Sequence, residues 1–246
     1  MTRQNKKVKK PSVRGSTERM TPLNKLTVSY TDLLEFEPIT HNQEVACKAW
    51  DDGDHLVLSG TAGTGKTYLA MALAFEQVLD SNNDYDKVVV IRSIVPTRDP
   101  GFLPGKKQDK EDVFTSPYKN ICAELFDDAT AYSKLVNIKK IHFDSTSFIR
   151  GVTWNNSIII VDEMQNMNFH ELDTIITRVG KDCRIIFSGD YKQTDFKFQD
   201  EKDGIIMFLN IIEQMKNFTI INFTWEDIVR SDFVRDYIMT KEMLGY

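Results

Sequence analysis

The sequence predicts an α/β fold, a three-layer sandwich in which a mostly parallel central sheet lies between helices. Six short apolar runs rich in β-branched residues recur along the chain, and their continuous hydrophobicity is typical of strands covered on both faces: 55–59, 87–91, 139–143, 157–161, 184–188 and 218–222. Four segments carry apolar residues at helical spacing: 67–79, 168–179, 204–215 and 226–243. Strands that alternate with helices indicate parallel strands joined by right-handed crossovers.

The composition favours one globular domain, which we place at residues 26–246. With 246 residues, 41% of them hydrophobic, the chain can bury one sizeable core but hardly two. No apolar run reaches the roughly 18 residues of a membrane-spanning helix, and the N-terminus lacks the apolar stretch of a secretory signal. We therefore expect a cytoplasmic protein without membrane contact. Three cysteines far apart in the chain indicate neither a disulfide framework nor a zinc site: Cys47, Cys122 and Cys183.

Two segments depart from this regular pattern. Residues 1–25 carry eight Lys or Arg against one acidic residue, although the whole chain has a net charge of −5. A tail so basic and so poor in apolar residues is predicted to be disordered; it could contact a nucleic-acid backbone or serve solubility alone. The segment 96–117 contains four prolines and many charges, which predicts a long functional or mobile loop.

The segment SGTAGTGKT at 59–67 fits the phosphate-binding pattern GxxxxGK[ST], with a predicted strand before it and a predicted helix after it. Glycines let successive backbone N–H groups point at phosphates. Lys66 can reach the β- and γ-phosphates of ATP, and the Thr67 hydroxyl can ligate Mg²⁺. A glycine-rich turn of purely structural importance is the alternative. We predict that ATP is bound by the residues of this loop: Gly60, Thr61, Ala62, Gly63, Thr64, Gly65, Lys66 and Thr67.

Two other predicted strands end in polar residues that suit the same chemistry. Asp162, at the end of the strand in IIIVDEMQN, can hold Mg²⁺ through water. Glu163 can polarise a water molecule for attack on the γ-phosphate, or it can be a charge at a helix start. Gln193, in SGDYKQTD, can contact the γ-phosphate and the attacking water, or it can be a solvated loop residue. Because the carboxyl ends of parallel strands meet at one edge of a sheet, these residues are predicted to share one crevice with the loop.

These motifs together resemble the PhoH family, phosphate-loop ATPases whose site is similar to the first motor domain of superfamily 1 helicases. The resemblance covers most of residues 40–240 and rests on several short segments: GTAGTGKT, GFLPG (101–105), FIRG (148–151), VDEMQN, TRVG (177–180), SGDYKQ and FTWEDIVRS (223–231). The small size is most similar to stand-alone PhoH-like proteins of large tailed bacteriophages, which implies the host cytoplasm as location. The fold that the resemblance implies is the RecA-like form of the phosphate-loop NTPase fold.

The resemblance also implies roles for four further residues. Gln43 matches a glutamine that reads adenine, although alone it would be an ordinary helix-surface residue. Arg230 matches an arginine that meets the γ-phosphate and stabilises transition-state charge; an ion pair with Asp227 or Glu226 is the alternative. Arg178 could serve the same purpose from a neighbouring subunit, and Arg92 could contact nucleotide or polynucleotide.

Two departures from the family pattern weaken any inference about polynucleotide contacts. Ser93 stands where proline is usual, and Ser231 stands where histidine is usual. Helicases of this class also close two motor domains around the nucleotide, whereas this chain has the motifs of one. A homo-oligomer such as a hexameric ring would supply the missing half.

The sequence therefore favours a Mg²⁺-dependent ATPase that couples hydrolysis to movement on, or remodelling of, single-stranded RNA or DNA. An ATP-gated switch that binds a nucleic acid or a protein without unwinding has the same motifs. A small-molecule kinase shares the loop, but the pair Asp162 and Glu163 and the absence of an arginine-rich lid sequence argue against it. Aromatic residues such as Phe102 and Trp154 could stack on bases.

Overall fold

The computed structural model describes residues 26–93, 107–147, 149, 151–190 and 199–244. Its centre is a six-stranded sheet of parallel strands in the order β3-β2-β4-β5-β1-β6. The strands are β1 (His55–Gly60), β2 (Lys87–Arg92), β3 (Ile141–Ser145), β4 (Ser157–Asp162), β5 (Arg184–Gly189) and β6 (Phe218–Phe223). All six predicted strands are confirmed, and the α/β, RecA-like fold class with them.

Side chains of alternate strand residues enter two separate cores, as the pleat of a sheet requires. Leu56, Val88 and Ile158 face the first core, whereas Val57, Val89 and Ile159 face the second. All of these side chains are fully buried. The continuous hydrophobicity of the strands in the sequence therefore reflects helices on both faces, and the predicted three layers are present.

The helices divide between the two faces. The first core is completed by α1 (His41–Asp51), α2 (Lys66–Leu79), α3 (Lys107–Phe126) and α4 (Ala131–Asn137). The second core is completed by α5 (Phe169–Ile176) and α6 (Gln199–Glu213). The last helix, α7 (Asp232–Met243), has no buried residue. No helix among the described residues is long and apolar enough to cross a membrane.

The prediction of a loop over 96–117 is wrong for its C-terminal part, because residues from 107 onward belong to α3. Pro117 lies inside this helix, where proline removes a backbone donor and usually breaks helical structure. The helix is nevertheless anchored by a buried face with helical spacing: Tyr118, Cys122, Leu125 and Phe126. Tertiary packing has overridden the local signal that the prolines and charges gave. Residues 94–106 and the basic tail lie outside the described residues.

The predicted helix at 226–243 is in fact two elements with an extended connection. Residues Trp225–Asp227 form a 3₁₀ turn capped by Thr224, and α7 begins only at Asp232. Between them the chain runs along the phosphate loop, where the backbone N–H of Val229 donates to the Gly63 carbonyl (3.1 Å). This hydrogen bond across elements explains why the helical pattern does not continue.

Candidate active site

A cleft of about 980 Å³ opens at the carboxyl ends of the strands. Within the described part of the chain, the strand ends that were predicted to share one crevice with the phosphate loop do line this cleft. Its walls include the phosphate loop, the ends of β2, β4 and β5, one side of α3, and the segment before α7. The sheet thus brings together residues that lie more than one hundred positions apart in the sequence.

The phosphate loop needs its glycines for conformation and for space. Gly60, Gly63 and Gly65 all have positive φ angles, of 119°, 79° and 79°, which side chains rarely adopt. A Cβ atom on Gly60 would lie 1.9 Å from the Phe223 carbonyl oxygen. The loop therefore passes directly against the end of β6, as glycine alone permits.

Lys66 is the first residue of α2, and its ammonium group lies inside the loop. The Nζ atom donates to the carbonyls of Gly60 and Thr61 (2.7 Å each) and to the Thr64 hydroxyl (3.3 Å). Burial lowers the pKa of Lys66, while the charges of Asp190, Glu163 and Asp162 act in the opposite direction. These three partners are all hydrogen-bond acceptors, and phosphate oxygens of a bound polyphosphate could take their place at the ammonium.

Thr67 and Asp162, the two predicted magnesium ligands, are in direct contact. The Thr67 hydroxyl donates to Oδ1 of Asp162 over 2.9 Å. Burial raises the pKa of the Asp162 carboxyl, and the nearby Glu163 adds to the effect; hydrogen bonds from Tyr118 and Thr67 oppose it. A hydroxyl beside a buried carboxylate is a hard oxygen donor set that Mg²⁺ prefers, so the residues present fit this ion.

Glu163 follows β4 in a left-handed conformation (φ 52°, ψ 44°) that is uncommon for a residue with a side chain. Its side chain lies in the cleft and is 38% exposed. Glu163 stands at the start of the short 3₁₀ turn Met164–Asn166 and makes no side-chain cap hydrogen bond to it, so the interpretation as a helix-start charge stays open beside that of a reactive carboxylate. Strained backbone of this kind is often found where a reactive group must be aimed.

Gln165 is a site residue that the sequence analysis did not single out. Its side-chain Nε2 donates to Oε2 of Glu163 (2.5 Å), and its Oε1 accepts from the backbone N–H of Asp190 (3.1 Å). The residue is only 6% exposed. Gln165 thus ties the carboxylate of Glu163 to the end of β5.

Gln43 is 2% exposed, so the alternative of an ordinary helix-surface residue is wrong. Its Nε2 donates to the Thr64 carbonyl (3.3 Å), and its Oε1 accepts from the backbone N–H of Ile39 (2.9 Å). One N–H and one acceptor position of the amide remain for a ligand. Gln43 borders the cleft beside Phe36 and Tyr68, which also line it.

Of the three arginines, Arg230 and Arg92 border the cleft. The stem of Arg230 lies against Gly63, and neither Asp227 nor Glu226 forms an ion pair with it. The Nη2 atom of Arg92 lies 3.9 Å from Oε1 of Glu163. Burial lowers the pKa of Arg92, but Tyr118, Glu163 and Asp162 outweigh it, so that the pKa is raised. Arg178 instead donates to the Ile149 and Thr174 carbonyls of its own chain.

Three other predicted residues do not contribute described contacts to the cleft. Gln193 and Phe102 lie outside the described residues. Trp154 is 3% exposed within the second core, so its prediction as a stacking platform for bases is wrong.

Comparisons with known proteins show the family of the chain. The family model for PhoH-like proteins matches residues 35–241. The chain belongs to the PhoH-like protein family. It is 32% identical over 204 residues to a PhoH-like protein of Synechocystis, covering 82% of this chain and 61% of that protein. It is 35% identical over 165 residues to Protein PhoH2 of Bacillus subtilis, covering 65% of this chain and 37% of that protein. It is 30% identical over 186 residues to Protein PhoH of Escherichia coli K12, covering 75% of this chain and 52% of that protein.

The chain spans about half the length of the curated relatives that it matches. Among solved structures, the helicase domain of Pyrococcus furiosus Hef is similar at a TM-score of 0.44 and 15% identity, covering 79% of this chain and 39% of that one. A Bacteroides Pif1 helicase solved with ADP-AlF3 and ssDNA has a TM-score of 0.36 at 14% identity, covering 86% and 49%. At these values the likeness concerns the fold alone.

The tie between Gln165 and β5 can be tested through Gly189. A Cβ atom at this position would lie 2.3 Å from Oε1 of Gln165, so Gly189→Ala should displace the amide and break both of its hydrogen bonds. We expect a loss of about 2 kcal/mol in the free energy of unfolding, measured with urea.

The matched control is the same substitution in a Gln165→Ala background. Without the amide, the added methyl group still meets Met164, at 2.9 Å from Cγ and 3.0 Å from the backbone N. The Gly189→Ala loss should therefore become smaller without vanishing, and the two losses should be less than additive. Fully additive losses would show that the two residues do not interact in this way.

Proposed function

We propose that this chain is a cytoplasmic, Mg²⁺-dependent ATPase that couples ATP hydrolysis to binding, translocation on, or remodelling of single-stranded RNA or DNA. The observation that carries the proposal is the convergence of Lys66, the pair Thr67 and Asp162, and Glu163 in one cleft. A phosphate loop alone would be compatible with many activities. The carboxylate of Glu163, held beside the magnesium ligand Asp162, favours hydrolysis among them.

In this proposal each group of the cleft has a separate task. The loop N–H groups and Lys66 bind the β- and γ-phosphates, and the free positions of the Gln43 amide meet adenine. Thr67 and Asp162 would hold Mg²⁺, which would supply neutralisation of the charge on the phosphate oxygens. Glu163 orients a water molecule and takes its proton as the water attacks the γ-phosphorus. Arg230, whose stem lies against Gly63 of the loop, stabilises the charge that develops on the transferred group.

Coupling to a polynucleotide is the less direct part of the proposal. Gln165 joins Glu163 to Asp190, and the chain leads from Asp190 to Gln193, the proposed sensor of the γ-phosphate. A change at the γ-phosphate would thereby be transmitted to the segment after β5. The basic tail at residues 1–25 supplies the charge that phosphate backbones attract.

Assembly into a homo-oligomer such as a hexameric ring belongs to the same proposal. A single motor domain leaves one side of the cleft without the second domain that helicases of this type close over it. Helix α7, which follows directly after Arg230, exposes large apolar side chains: Phe233 at 83%, Tyr237 at 66% and Met243 at 85%. Exposed apolar surface beside a site is a common feature of subunit contacts, and it supports assembly at this edge.

Two substitutions separate binding of ATP from its hydrolysis. Lys66→Ala should abolish measurable binding, because it removes the cation of the loop. Glu163→Gln should retain binding and lower the release of inorganic phosphate by at least about 100-fold, since the amide cannot take the proton. The measurements are titration with a fluorescent ATP analogue and a phosphate-release assay without an acceptor.

Normal turnover by the Glu163→Gln variant would mean that another group activates the water. Wild-type protein that transfers phosphate to an acceptor, but releases none to water, would indicate a kinase. The matched control is Glu226→Gln, which changes an exposed acid outside the cleft. It should leave both measurements unchanged.

Coupling predicts that single-stranded RNA or DNA stimulates ATP turnover at low salt. Stimulation should weaken as salt rises, because contacts with phosphates release counterions. No stimulation by either polymer at low salt would contradict the coupling but not the hydrolysis. A strand-displacement assay, with Glu163→Gln as the inactive control, distinguishes a motor from an ATP-gated binding switch.

A further inference from the structure

Tyr118, on helix α3, makes an unexpected contact with the proposed magnesium site. Its side chain is fully buried, and its hydroxyl donates to Oδ2 of Asp162 over 2.8 Å. The other carboxylate oxygen, Oδ1, accepts from the Thr67 hydroxyl. Both oxygens of Asp162 are therefore held, and the two donors come from different helices.

The Tyr118 ring has little freedom to move. It belongs to the first core, and it packs against Phe143 on β3 with 5.9 Å between ring centroids. A phenylalanine would fill the same space in this apolar environment. The hydroxyl is the one feature that distinguishes tyrosine here: Asp162 accepts its hydrogen bond, and the guanidinium of Arg92 lies beside it.

The two hydrogen bonds to Asp162 are expected to respond differently when a metal binds. Thr67 is itself a proposed ligand, so its oxygen would turn to the metal. Tyr118 lies on the opposite side of the carboxylate and is fixed by the core. The phenol would then remain as the group that sets the orientation of Asp162.

We propose that Tyr118 is a positioning residue: its hydrogen bond fixes the Asp162 carboxylate for magnesium, so that helix α3 sets the metal affinity of the site. The inference rests on the proposed function, because it concerns the same metal. It assigns a task in the site to α3, whose other residues on this side line the cleft: Pro117, Asn120, Ile121 and Glu124.

The test is Tyr118→Phe, which retains the ring and removes only the hydroxyl. Binding of a fluorescent ATP analogue is titrated with Mg²⁺, and binding in excess EDTA is measured separately. Partners of metal ligands typically contribute a factor of 10 to 100 in metal affinity. We expect the Mg²⁺ concentration for half-maximal binding to rise about tenfold, with metal-free affinity unchanged within about twofold.

Two controls identify the cause of such a shift. Tyr132→Phe, at a buried position of α4 that does not line the cleft, should leave the magnesium dependence unchanged. In an Asp162→Asn background, Tyr118→Phe should have no further effect on it, since the phenol acts through the carboxylate. If the single Tyr118→Phe variant has a lowered melting temperature, its affinity in EDTA decides the question, because partial unfolding would weaken metal-free binding as well.

A wild-type magnesium dependence in Tyr118→Phe would overturn the inference while leaving the proposed function intact. An equal loss of affinity with and without Mg²⁺ would also overturn it, because general damage to the cleft would then be the cause. Wild-type protein that binds the nucleotide equally well in EDTA and in Mg²⁺ would remove the magnesium part of the proposed function, and this inference with it, whereas hydrolysis is tested separately by phosphate release.

Discussion

The site depends on a single physical constraint, the burial of a carboxylate at the end of β4. Asp162 is 3% exposed, and a charge removed from water is costly unless donors or cations surround it. The chain supplies donors from α2 and α3, and it places Arg92 nearby. A divalent cation would complete this compensation. The architecture can thus be understood as a means of holding one negative charge ready for a metal.

The parallel sheet makes this arrangement possible. Its strands all end at the same edge, so the phosphate loop after β1, the acids after β4 and the turn after β5 meet without long connections. The order of the strands matters as well, because β5 lies between β1 and β4. The Gln165 amide can therefore reach from the Glu163 carboxylate to the backbone of Asp190.

Local sequence patterns were enough to predict the strands and the phosphate loop. Continuous apolar runs marked all six strands, and the glycine spacing marked the loop. Pattern could not predict α3, because Pro117 and the charged residues before it have the composition of a loop, while the buried apolar side chains described for this helix begin at Tyr118. The contacts of Tyr118 and Gln165 with the acids were also beyond prediction, since they join residues through tertiary packing. Gln43 was identified through a family resemblance, and its burial became visible only in three dimensions.

The central claim is that Asp162 and Thr67 form the magnesium part of an ATP site. The most direct measurement is calorimetric titration of wild-type protein and the Asp162→Asn variant with ATP, each in Mg²⁺ and in EDTA. The account predicts that Mg²⁺ strengthens binding to wild-type protein by at least about tenfold, and that Asp162→Asn loses most of this increment. An equal increment in both proteins, with both correctly folded, would show that the metal is held elsewhere and would contradict the account.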